Sequence, residues 1–268
     1  MNAVAIGPLV FAPDRFAAIL AIAAFLFLGE ILSSKVDRRF SPWSWGAVVA
    51  FIVGARAGHV VMHAESFLAE PLRVFFLWQG GFLIPAGVGL ALLYTLLHFR
   101  RALGLAPWTA LPGAVAAYVA IFVLQLTAGV PATALPTAEM FQTLSGETFN
   151  AADLEGPLVI NLWATWCPPC RREMPMMADI AKTTGDATFI FVNQGESAAM
   201  IEQFLASENL DLDHVVLDSF GEFGRHYDAP GLPATLFIDN EGHLGSVHMG
   251  EISREVLLSG IAQLRPQL

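Results

Sequence analysis

The chain has 268 residues and a formal net charge of −10, with 55% hydrophobic and only 14% charged side chains. A soluble domain carries about 25% charged residues, so much of this chain is suited to lipid. Its apolar content, the lack of a glycine period and a total of two cysteines exclude disorder, collagen-like structure and a disulfide-rich scaffold, and the acidic balance argues against a nucleic-acid partner.

Charge divides the chain in two. Residues 1–137 carry eight basic and five acidic side chains, whereas residues 138–268 carry six and nineteen. Four apolar stretches occupy the first half, at 16–32, 45–62, 74–97 and 111–130. Each approaches the roughly 20 helical residues that cross a bilayer, although Gly80-Gly81 and Pro85 interrupt the third. The N-terminus lacks a basic region and has Asp14-Arg15 before its apolar run, unlike a cleavable signal peptide. Lys35, Arg38 and Arg39 lie between the first two stretches, and Arg100 and Arg101 between the last two. Basic loops stay in the cytoplasm. Four spans therefore place the acidic half outside it, in the periplasm of a bacterium whose inner membrane holds the first half. Residues 1–130 read as an α-helical membrane domain, 131–137 as a Pro-punctuated linker, and 138–268 as a soluble domain.

Arg56 lies inside the second span. A charge there marks a functional position by default, so Arg56 is the candidate for a lipid- or partner-binding site. The alternative is a side chain that snorkels or pairs within the bundle. His59 and His63 are one turn apart but have no third ligand nearby, so they read as structural, and no metal is expected. The patches Gly54-Ala55-Arg56-Ala57-Gly58-His59, Phe67-Leu68-Ala69-Glu70-Pro71-Leu72-Arg73 and Trp78-Gln79-Gly80-Gly81 resemble prolipoprotein diacylglyceryl transferase, over residues 45–97. That resemblance implies transfer of a diacylglyceryl group from phosphatidylglycerol to a lipoprotein cysteine. The family's His-Gly-Gly run is replaced here by Pro85-Ala86-Gly87, and residues 111–130, where the family has a polar segment with Arg and Asn, contain neither and offer Tyr118 and Gln125. A degenerate anchor that kept the fold is the expectation.

In the second half, strands alternate with helices. Residues 158–164 form a short apolar run suited to a central strand, and Pro168–Thr183 has helical spacing with Met174, Met177 and Ile180 on one face. Strands are expected at 187–193, 214–218, 234–239 and 244–249, and helices at 198–207 and 254–264, with a turn at Asn240-Glu241-Gly242. This order predicts an α/β fold with a mixed central sheet flanked by helices.

The only two cysteines stand in Trp166-Cys167-Pro168-Pro169-Cys170, at the join of strand and helix. A disulfide framework or a structural zinc site needs more ligands than these, so the pair reads as redox-active. Cys167 at a helix N-terminus gains thiolate stability from the backbone amides and the helix dipole. Cys170, one turn on, is placed to resolve a mixed disulfide. Pro168 and Pro169 suit a first turn whose amides lack acceptors.

The run from Val159 through Asn161, Trp163 and the CPPC motif to Glu173-Met174-Pro175, with Gly231-Leu232-Pro233-Ala234-Thr235, resembles the thioredoxin-fold thiol:disulfide oxidoreductases of the TlpA/ResA/CcmG group. The resemblance implies a cis Pro233 facing the disulfide. It also implies Asn161 in place of the buried Asp of cytoplasmic thioredoxin, and Glu173 as the carboxylate that serves the dithiol. A helix-surface Glu173 is the competing reading. His226 and Tyr227 are placed near the cleft rim, and His243 and His248 on solvent-facing strand positions.

The sequence thus predicts a membrane-anchored periplasmic thiol:disulfide oxidoreductase. It reduces protein disulfides through Cys167 and Cys170, with Trp166, Asn161, Pro168 and Pro169 in support and no cofactor beyond the redox-active pair. Because the membrane half has no cysteine, a separate membrane electron donor of DsbD/CcdA type is implied. The alternatives are a DsbA-type oxidant, an active transferase fused to a redox domain, and a non-catalytic holdase or scaffold.

Overall fold

The structure, a computed structural model, describes residues 4–6, 9–127, 134–135, 141–150 and 156–264. They fall into two compact units, one of residues 13–126 and one of residues 1–12 with 127–268. The second unit opens with a short hairpin of β1 (Val4–Ile6) and β2 (Leu9–Phe11).

The apolar unit contains α1 (Pro13–Lys35), α2 (Phe40–Met62), α3 (Ala64–Ala69), α4 (Ile84–His98) and α5 (Ala110–Thr127). Helices α1 and α2, and α5 together with the 3-10 turns before it, are long and apolar enough to cross a membrane. The expected third span at 74–97 is not one helix. Its first part is two 3-10 turns, Pro71–Phe75 and Leu77–Gln79, followed by Gly80 and Gly81, both at positive φ. The 15 residues of α4 rise only about 22 Å, short of a hydrocarbon core of roughly 30 Å.

Close approach of α4 to α2 explains the shape of this segment. A Cβ on Gly54 would lie 2.7 Å from Leu90 Cβ and 2.8 Å from the Ala86 carbonyl, and one on Gly87 would lie 2.7 Å from the Phe51 carbonyl. At the other end Trp43 Nε1 donates to Thr95 Oγ1 at 3.0 Å, and His98 Nε2 lies 3.2 Å from the Arg39 carbonyl. The two helices therefore run antiparallel, and the 3-10 turns fill the length of α2 that α4 does not cover. The same geometry puts Arg38-Arg39 and Arg100-Arg101 at one end of the unit. Arg56, 6% exposed, serves the irregular stretch. Its guanidinium donates to the carbonyls of Arg73 (2.6 Å), Gly80 (2.7 Å), Val74 (3.0 Å) and Gly81 (3.1 Å). Buried non-helical backbone requires such partners for its carbonyls.

The other unit is built on β3 (Phe141–Thr143), β4 (Thr148–Phe149), β5 (Leu158–Trp163), β6 (Thr188–Gln194), β7 (Val215–Asp218), β8 (Ala234–Ile238) and β9 (Leu244–Met249). Its helices are α6 (Pro168–Thr183), α7 (Ala198–Ser207), α8 (Glu222–His226) and α9 (Arg254–Gln263). The sheet order is β4-β3-β7-β6-β5-β8-β9. Strands β5, β6 and β7 are parallel, and β8 and β9 antiparallel. Every residue of β5 is buried because both sheet faces are covered. Val159, Trp163, Phe189, Phe191 and Phe237 pack with α6, α7 and α9. Leu158, Ile160, Leu162, Val192 and Leu236 pack on the opposite face with Phe223 and Tyr227 of the α8 region and Phe141 of the hairpin. This is a thioredoxin-like fold.

Two expectations are corrected. Helix α8 lies between β7 and β8, where the sequence pattern showed no element; at five residues it is too short for a period to register. Part of the expected linker belongs to the sheet-containing unit: Ala134 bridges to His243, and Leu135 is buried with its N–H on the Gly242 carbonyl at 3.0 Å. The rest of 131–137 lies outside the described residues.

Candidate active site

Three parallel strands end at the same sheet edge, the place where α/β sheets present their chemistry. Beyond β5 come Ala164, Thr165 and Trp166, then Cys167 as the N-cap of α6. Cys167 and Cys170 are joined in a disulfide, 3% and 0% exposed. The amide of Cys170 donates to Cys167 Sγ at 3.3 Å, so the helix terminus offers this sulfur a donor in the position that stabilises a thiolate. Pro168 and Pro169 occupy the first turn, as expected. Trp166 is 68% exposed and stands beside the pair.

The Leu232–Pro233 bond is cis. Ala234 pairs with Leu162 across the sheet, so Pro233 sits at the edge where β5 gives way to the CPPC loop. A recess of about 330 Å³ lined by Gly221, Gly224, Gly231 and Leu232 flanks this turn. Another recess, of about 360 Å³, lies at the opposite edge by Pro157, Thr188 and His214, remote from the dithiol.

Glu173 is not a surface residue. It shares the inward face of α6 with Cys170, Met174 and Met177 and is 2% exposed. Its Oε1 accepts from Asn161 Nδ2 at 2.9 Å, and its Oε2 from the Ile252 amide at 2.9 Å. Asn161 lies on the central strand and also reaches Thr235 Oγ1 at 3.4 Å. Burial pushes the Glu173 carboxyl up to about 8, against the lowering effect of those two hydrogen bonds. The ordinary range of a thiol is near this value. Asn161 cannot titrate and serves to hold the carboxylate.

Several participants were invisible in the sequence. Glu196 accepts from the Thr165 amide at 2.7 Å, from the Thr165 hydroxyl, and from Asn193 Nδ2 at 2.8 Å, bracing the loop that leads into Cys167. The one available signal was its place in the polar run after a buried strand. Glu251 and Arg172 form an ion pair at 2.6 Å near Glu173. His248 is half-buried, with Nε2 3.3 Å from the Glu251 carbonyl, rather than facing solvent. His226 and Tyr227 do not rim the cleft. His226 lies 2.8 Å from the Ala134 carbonyl, and Tyr227 is buried in the core of the other sheet face.

Arg56 lies in the apolar unit, where its guanidinium donates to the backbone carbonyls of Arg73, Val74, Phe76, Gly80 and Gly81. Among the described residues, no cluster of three His, Cys, Asp or Glu side chains is arranged to hold a metal.

Residues 129–263 match the Redoxin family. The chain is 30% identical over 119 residues to the thioredoxin-like protein YneN of Bacillus subtilis, covering 42% of this chain and 69% of that one. It is 30% identical over 130 residues to the thiol-disulfide oxidoreductase ResA of the same organism, covering 47% and 72%. The soluble secreted antigen MPT53 of Mycobacterium bovis is 30% identical over 135 residues, 48% of this chain and 77% of its own. Among solved structures, MTB dsbF in its mixed oxidised and reduced forms aligns with a TM-score of 0.46 and 26% identity, over 51% of this chain and 100% of that chain.

Proposed function

The chain belongs to the Redoxin family and is a thiol-disulfide oxidoreductase of the ResA/TlpA type, and on that premise we propose that it is a membrane-anchored reductase of protein disulfides outside the cytoplasm. The observation that carries this reading is the Cys167–Cys170 pair at the α6 N-terminus with a buried, high-pKa Glu173 one turn along. In the reductive cycle the Cys167 thiolate attacks a substrate disulfide. A mixed disulfide forms, and one substrate sulfur leaves as a thiolate that takes a proton from water. Cys170 then gives its proton to the ionised form of Glu173 and attacks Cys167 Sγ. The second substrate sulfur leaves and is protonated, so the substrate gains a dithiol and the enzyme ends as the Cys167–Cys170 disulfide. Exposed Trp166 and the recess beside Pro233 supply a surface for the substrate polypeptide.

The reductive direction is supported by the charges around the pair. A strong oxidant owes its potential to a stabilised reduced thiolate. Here the two arginines that follow the motif are bound to carboxylates, Arg171 to Glu208 and Arg172 to Glu251, each at 2.6 Å. A carboxyl, not a cation, is buried beside Cys170.

Residues 1–130 serve as the anchor in this reading. The two basic clusters at one end of the apolar unit support a cytoplasmic end there, with four crossings, the third a broken one. The soluble domain then lies in the periplasm on the inner membrane. We read the anchor as a transferase-like bundle without transferase chemistry, supported by Pro85 in place of the family's His and by the donors of Arg56 facing backbone carbonyls. With no cysteine in this unit, electrons must come from a separate membrane dithiol protein of DsbD/CcdA type.

The test uses the full-length protein in detergent, reduced and freed of reductant, mixed with a disulfide-bonded protein. Stoichiometric transfer of two electrons per enzyme is expected, lost in Cys167→Ser. No transfer by the wild-type protein would refute the reading.

A further inference from the structure

Three consecutive residues after β9 tie the parts of the site together. The Gly250 amide donates to the Pro233 carbonyl at 2.8 Å, and the Ile252 amide to Glu173 Oε2 at 2.9 Å. Between them Glu251, only 5% exposed, accepts on Oε2 from Arg172 Nε at 3.0 Å and Nη2 at 2.6 Å. Arg172 immediately precedes Glu173 on α6. Ser253 then caps α9 through the Val256 amide at 3.3 Å, which fixes the far end of the segment. One short stretch thus touches the cis-proline turn, the redox helix and the buried acid.

We propose that Glu251, held by Arg172, is a positioning residue for the proton exchange between Cys170 and Glu173. This rests on the acid–base role of Glu173 given above. The ion pair fixes one negative and one positive charge beside that carboxyl. The groups facing Glu173 are Cys170 and Arg172 on its own helix, Asn161 on β5 and Glu251 on the segment, with His248 behind the Glu251 carbonyl. Glu251 disfavours the ionised form of Glu173 and Arg172 favours it. Glu251 therefore makes the ionised Glu173 a stronger proton acceptor, and Arg172 limits the effect. In the forward step the proton leaves Cys170 Sγ for a Glu173 oxygen, and in the reverse step it returns.

A structural role and this one give opposite signs. Loosening the segment in Glu251→Gln would remove the Ile252 amide from the carboxylate and move Glu173 titration to higher pH. Removing a like charge moves it lower. The experiment is the pH dependence of disulfide-exchange rate for the reduced full-length protein, comparing wild type, Glu251→Gln, Arg172→Gln, the double variant and Glu173→Gln. The limb that Glu173→Gln abolishes is expected to move down by about one pH unit in Glu251→Gln. It should move up in Arg172→Gln and fall between the two in the double variant, which leaves no unpaired buried charge if a single variant fails to fold. A Glu173-dependent limb that stays in place or moves up in Glu251→Gln overturns the proposal alone. The absence of any limb sensitive to Glu173→Gln overturns the Glu173 role, and the proposal with it.

Discussion

Glu173 shows what one buried carboxyl does to a thiol site. It holds its proton up to about pH 8 in the folded, oxidised protein, whereas its ordinary value is 4.5. Between those two values the folded state binds more protons than the unfolded chain, so stability falls as pH rises through this window. The slope from this group is at most about 1.4 kcal/mol per pH unit. Denaturant melts of the oxidised protein at pH 5 and pH 8.5 should show wild type losing more stability than Glu173→Gln over that interval. Equal losses would mean that the carboxyl ionises freely. Replacing the carboxyl also removes the proton acceptor, and the same variant should exchange disulfides ~10-fold or more slowly. Cys167 and Cys170 were legible because they frame the start of a helix that begins where a strand ends, whereas Glu173 was singled out through the resemblance to the TlpA/ResA group. Glu196 and Glu251 were not, since their partners Thr165 and Arg172 stand 31 and 79 residues away and no local period reports such a tie.

Elements follow the same division between local and tertiary causes. Helix α6 and strand β9 match their expected ranges to the residue. In α6 a proline-led first turn and a buried stripe at Cys170, Met174, Met177 and Ile180 agree. Over 74–97 hydropathy registers one apolar stretch, whereas Gly80, Gly81 and Pro85 decide the backbone. What makes that broken backbone tolerable is Arg56, which no hydropathy pattern assigns to carbonyls 17 to 25 residues away. Each orphaned buried carbonyl costs about 1–3 kcal/mol. Arg56→Met is therefore expected to lower the melting temperature of the apolar unit in detergent, with no change in the rate of disulfide exchange. An unchanged melting temperature would show that lipid or water satisfies these carbonyls instead. The glycines of the α2–α4 contact have a similar logic: a side chain at Gly54 or Gly87 would force the two helices apart.

At the scale of the whole molecule, the sequence divides its charge as the proposed topology divides its environment. The basic clusters flank the apolar helices, and nineteen of the 24 acidic residues lie in the second half. The fold of that half was legible because its central strands are short apolar runs between helices of clear period. Where the linker ends was not, since isolated apolar residues such as Ala134 and Leu135 carry no signal that they join the edge of the sheet. The central claim is that this dithiol works as a reductant outside the cytoplasm. The most direct measurement is thiol trapping of Cys167 and Cys170 in growing cells, with a membrane-impermeant alkylating reagent after permeabilising the outer membrane. The pair should be mostly reduced, and should become oxidised when the DsbD/CcdA-type membrane donor is deleted. A pair that is mostly oxidised with the donor present, or thiols that the impermeant reagent does not reach in intact spheroplasts, would contradict it.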